Sequence, residues 1–88
     1  MKIKSGFVLE KVADSYLACA TGKLARSFKG LVRLNETGAF LWNKLSEGDV
    51  TEGDLVRALL SEYDITEDIA AKDVDTFVKS LVAAGIVE

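Results

Sequence analysis

The chain has 88 residues, and 49% of them are hydrophobic, enough for one core without disulfides or a structural metal. One cysteine and no histidine exclude an internal disulfide and a multi-cysteine zinc site, and remove the commonest general base and metal ligand. The net charge of −3 hides an asymmetry: residues 1–34 carry seven basic against two acidic residues, net +5, and residues 35–88 carry four against twelve, net −8.

In chain order, Met1-Lys2-Ile3-Lys4-Ser5 lacks the apolar run that follows the lysines of a signal peptide. No stretch approaches the length that spans a bilayer, so the cytoplasm is the expected location. Phe7 to Val12 is rich in strand formers. Ala13-Asp14 reads as a turn and Ser15 to Ala20 as a second strand, together a hairpin. Thr21 to Gly30 holds two glycines and a cluster of basic residues, Lys23, Arg26 and Lys29, and reads as a loop. Leu31 to Leu34 is the expected third strand. With Val32 and Leu34 toward the core, Leu31 and Arg33 point the other way.

Asn35 ends that strand and starts a helix with no linker. Its side-chain oxygen suits a free amide of the first turn, and Glu36 suits the positive helix start. The first helix is expected from Glu36 to Leu45, ending at Ser46-Glu47-Gly48. Phe40, Leu41 and Trp42 are consecutive. At about 100° per residue they cover more than half of the helix, so one of them is expected near the surface or against a neighbouring element. Thr51 caps a second helix, with Asp54 completing a capping box. Its apolar face is Leu55, Val56, Leu59, Leu60 and Tyr63. Thr66 caps a third helix, whose stripe is Ala70, Val74, Phe77, Val78, Leu81 and Val82. Gly85 is the expected left-handed terminator, after which Ile86-Val87 fold back. The order is β-β-β-α-α-α, an α+β fold in which the helices cover one face of a three-stranded antiparallel sheet. One domain over 1–88 is expected.

No catalytic constellation emerges. Glu67 and Asp68 are explained by a helix start, and Asp73 and Asp75 face different directions on a helix. Lys72 and Asp68 have the spacing of a surface ion pair. Cys19, between Ala18 and Ala20, reads as a structural thiol. Gly22, Gly30 and Gly38 match no phosphate-binding spacing. Trp42, Phe77 and Tyr63 fall on helical apolar faces and read as core.

Leu34-Asn35-Glu36-Thr37-Gly38-Ala39-Phe40-Leu41-Trp42 resembles the signature of the PqqD-like family. The later pattern is similar too: Leu55-Val56 and Leu59, Tyr63-Asp64-Ile65, Asp73-Val74 with Phe77-Val78 and Leu81, then Gly85-Ile86-Val87. The resemblance runs from about Phe7 to the end, and the N-terminal strands match by pattern only. It implies a winged-helix-like domain, the RiPP precursor peptide recognition element. Such a domain binds the leader segment of a ribosomally made precursor and delivers it to a modifying enzyme, often a radical S-adenosylmethionine enzyme. The leader adds as a strand beside the third strand, in the cleft facing the third helix. Carried onto this chain, the implied peptide-binding residues are Leu31, Val32, Arg33 and Leu34 on the strand, and Asp73, Phe77 and Ser80 on the helix. No metal or cofactor is implied, and the protein is expected to be a monomer or a homodimer. An acidic leader is expected to be drawn to the basic strand region. The rival reading is a winged-helix nucleic-acid-binding protein, and against it stands the −8 charge of the helical part.

Overall fold

The computed structural model describes residues 1–22 and 32–87. Three strands come first: β1 (Phe7–Val12), β2 (Ser15–Ala20) and β3 (Val32–Leu34). Three helices follow: α1 (Glu36–Ser46), α2 (Glu52–Glu62) and α3 (Glu67–Ala83). The α+β order expected from the sequence is the observed one. The basic cluster Lys23, Arg26 and Lys29, and the expected first residue of β3, Leu31, lie outside the described residues.

The sheet is antiparallel in the order β1-β2-β3. Leu9 pairs with Ala18 and Lys11 with Tyr16; Tyr16 pairs with Leu34 and Ala18 with Val32. These residues share one pleated face, and α1 packs on it through β2 and β3. Ala18 and Leu34 are buried there, and Val32 is half-buried. Arg33 is opposite Leu17 on the other face and is exposed, as the alternation requires. At the hairpin turn Ala13 takes a φ of 55°, the left-handed region that residues with a Cβ rarely enter.

Each helix begins at the expected cap. The Asn35 side chain accepts the Gly38 amide at 2.8 Å. Thr51 and Asp54 form the reciprocal box, with the Asp54 amide donating to the Thr51 hydroxyl at 3.1 Å and the Thr51 amide to the Asp54 carboxylate at 2.9 Å. The Thr66 hydroxyl accepts the Ile69 amide at 3.3 Å. Gly85, at φ 73°, ends α3, and the Ile86 amide reaches back to the Leu81 carbonyl at 2.9 Å. The chain then returns to its start: Ile3 bridges Val87, and the Lys4 amide donates to the Ile86 carbonyl at 2.8 Å.

The core is built from Leu41, Trp42 and Leu45 of α1, Leu55 and Leu59 of α2, and Ala70, Val74, Phe77 and Leu81 of α3. Two expected core positions fall outside it, Leu60 at 37% and Val82 at 59% exposure. The buried residues of α2 are four apart and those of α3 fall at i, i+4, i+7 and i+11, so the buried stripes are narrower than the apolar pattern. Leu60 and Val82 each stand about 100° beyond a stripe's centre. Of the three consecutive large residues of α1, Leu41 and Trp42 are buried and Phe40 is half-buried. Phe40 meets Tyr63 edge to face, with ring centroids 5.6 Å apart.

Candidate functional site

β3 has only three residues, and Asn35 holds it rigidly to α1. Gly38, one turn into that helix, is what lets the two approach. A Cβ there would lie 3.1 Å from the Leu34 Cβ and 3.3 Å from the Asn35 Oδ1. β3 is also the last strand of the sheet. Among the described residues only β2 pairs with it, so its other edge offers backbone amides and carbonyls without a strand partner.

That edge opens onto a cleft of about 600 Å³. The hairpin turn and β3 supply Asp14, Ser15, Arg33 and Leu34. The strand-to-helix join supplies Asn35, Thr37, Gly38 and Leu41. The facing wall is α3, with Lys72, Asp73, Thr76, Phe77 and Ser80. Leu34, Leu41 and Phe77 are core residues, so the floor is apolar and continuous with the core. The rim is polar. The Ser80 hydroxyl donates to the Thr76 carbonyl at 2.9 Å and keeps its lone pairs for an incoming donor.

The charges of the cleft balance. Arg33 and Lys72 stand against Asp14 and Asp73. The ion pairs among the described residues, Met1 ammonium–Asp49, Arg57–Asp54 and Lys79–Asp75, involve none of these four. The cleft therefore presents two cations and two anions with no ion-pair partner among the described residues. Groups outside it explain the shifted acidities. The Asp54 carboxyl is held below its usual range by the Thr51 amide and hydroxyl and then by Arg57. Burial, and next the Glu10 carboxylate, push the Cys19 thiol up, which keeps it protonated and poorly nucleophilic. Among the described residues no group of His, Cys, Asp or Glu side chains is arranged to hold a metal ion.

Residues 22–87 match the family model described as coenzyme PQQ synthesis protein D (PqqD). The chain belongs to the PqqD family. Two solved structures share the fold. One is TbiB1 in complex with the TbiA(beta) leader peptide: TM-score 0.77, 22% identity, 100% of this chain and 95% of that one covered. The other is lasso peptide synthetase B1 complexed with the leader peptide: TM-score 0.74, 22% identity, 99% and 95% covered. At this identity the likeness is one of fold. No curated protein sequence matches the chain.

In this PqqD-family chain, Arg33, Leu34, Asp73, Phe77 and Ser80, expected as site residues, all line the one cleft. Val32 does not line it; its side chain packs against the core, so it can serve the edge only through its backbone. Leu31 lies outside the described residues. The sequence reading missed Lys72, Thr76, Asn35, Thr37 and the hairpin residues Asp14 and Ser15. Lys72 and Thr76 were accessible from spacing alone, since 72, 73, 76, 77 and 80 form one helical stripe. The Lys72–Asp68 ion pair that the spacing predicts does not form. The hairpin residues had no local signal, because only the β2–β3 register brings them beside Asn35.

Proposed function

We propose that this chain binds the leader segment of a ribosomally made precursor peptide and presents it to a modifying enzyme, with no catalysis of its own. The observation that carries this reading is the edge of β3, which no described strand pairs, opening onto a cleft walled by α3. The leader adds as a strand beside Val32, Arg33 and Leu34. Backbone hydrogen bonds supply affinity and the cleft supplies selection. Leu34, Leu41 and Phe77 receive an apolar side chain, while Asp73 and Ser80 meet polar groups of the peptide. The modifying enzyme is in this reading a radical S-adenosylmethionine protein, and the encounter takes place in the cytoplasm.

Family membership and the leader-peptide complexes of the two fold neighbours support the reading. A nucleic-acid-binding role is disfavoured by the helices. The one basic residue of α2, Arg57, is paired with Asp54, and α3 exposes Glu67, Asp68, Asp73 and Asp75 against only Lys72 and Lys79. Among the described residues no helix is long and apolar enough to cross a membrane.

Micromolar affinity, about −8 kcal/mol, is within reach of a short added strand with one or two buried anchors. Titration calorimetry against the leader of the precursor encoded beside this chain is the direct test. Saturable one-to-one binding at micromolar concentration is expected. No heat and no shift in melting at hundredfold excess of leader over protein would rule the reading out.

A further inference from the structure

We propose that the peptide site continues beyond the cleft along α3 to Ile69, which takes an apolar side chain of the bound peptide. This inference rests on the peptide-binding reading above and adds a residue that decides what the peptide must carry. The α3 wall runs from Lys72 to Ser80, so an occupant lying in the cleft follows the helix axis for about 12 Å. Ile69 precedes Lys72 by three residues, Asp73 by four, Thr76 by seven and Ser80 by eleven. At about 100° per residue, that places it at the centre of the cleft-facing side, one turn beyond the cleft mouth.

Ile69 is also 49% exposed, about 110° around the helix from the buried stripe of Ala70, Val74, Phe77 and Leu81. Its structural duty is discharged by its backbone amide, which the Thr66 hydroxyl accepts at 3.3 Å, so the cap does not require an isoleucine side chain. The surrounding first turn is polar, with Thr66, Glu67 and Asp68. The other large exposed apolar residue of α3, Val82, stands about 140° away around the helix and does not extend the path. From Ser80 to Ile69 the rise is about 16 Å, the length of roughly five residues of extended peptide. The recognised segment is therefore about five residues long on this wall. An apolar residue sits at one end, over Ile69, and a second lies over the Leu34–Leu41–Phe77 floor.

A random twelve-residue peptide display library selected on the immobilised wild-type protein supplies the probe. The most enriched peptide is then titrated against wild type, Ile69→Ser and Ile69→Leu. Ile69→Ser is expected to weaken binding about tenfold, and Ile69→Leu to leave it near wild type. Replacing the peptide's terminal apolar residue by serine is expected to cost about the same factor, and to cost nothing more in the Ile69→Ser protein. Equal affinity of wild type and Ile69→Ser, or independent losses in the combined variant, would overturn the proposal while leaving peptide binding intact. Failure of any peptide to enrich on the wild type would overturn the peptide-binding reading and this inference with it.

Discussion

Arg33 is the residue where the edge strand and the cleft meet. Pleating turns it away from the core, opposite Leu17, yet the residue lines the cleft. It has no ion-pair partner among the described residues. The basic excess of the first third of the chain suggested attraction for an acidic leader. The cleft itself narrows that expectation, since Asp14 and Asp73 balance Arg33 and Lys72. A single carboxylate placed over β3 is the feature Arg33 can read, rather than a net negative leader. Arg33→Glu is therefore expected to weaken a peptide bearing that carboxylate by roughly five- to tenfold, turning an attraction at a solvent-accessible rim into a repulsion. The ratio between wild type and variant should shrink as salt rises from about 0.05 to 0.5 M, because rim charges are screened over a few ångströms at the higher value. Titration of both proteins at the two salt concentrations checks this; a ratio that salt does not change would show that Arg33 acts through packing.

The element that decides the geometry is the β3–α1 join. Asn35 stops the strand, caps the helix and lines the cleft, so one residue sets both the angle of the edge and the start of the wall. Gly38 completes the join by allowing contact with Leu34. In an exposed helix, glycine to alanine usually gains about 1 kcal/mol. Here the added methyl would press on the Leu34 Cβ, which is buried and has no rotamer to move it aside, and on the capping oxygen. The expected result for Gly38→Ala is therefore a loss of stability, on the order of 1–3 kcal/mol, from overpacking. Thermal unfolding decides the sign: a fall in Tm of several degrees is expected, and a rise would mean that α1 can slide on β3. Peptide affinity should fall in the same variant, because Gly38 is part of the cleft.

At the scale of the whole molecule, local signals and long-range ones had different fates. β1 and β2 were legible to the residue, since two runs of strand formers flank a two-residue turn. The helix starts were legible from Asn35, Thr51 and Thr66, each of which satisfies first-turn amides by itself. Leu60 and Val82 misled, because an apolar residue beside a buried stripe looks the same in sequence as one inside it. The cleft was legible only through family resemblance. It exists because α3, about forty residues downstream and packed mainly on α2, stands across the cleft from β3 and the start of α1, and no local pattern reports that placement. The same placement makes a prediction about the intact fold. An occupant of the cleft touches β3, the start of α1 and α3 together, so binding should tie these parts more tightly than the rest. Peptide at a hundredfold excess over its Kd should raise the unfolding free energy by about 2.7 kcal/mol. Hydrogen exchange should localise the effect: the amides of Val32 to Leu34 and of residues 69–80 are expected to slow, while β1, across the sheet from the open edge, changes only with global stability. Protection concentrated on α2 or on β1 would place the peptide elsewhere and remove the β3 edge from the mechanism.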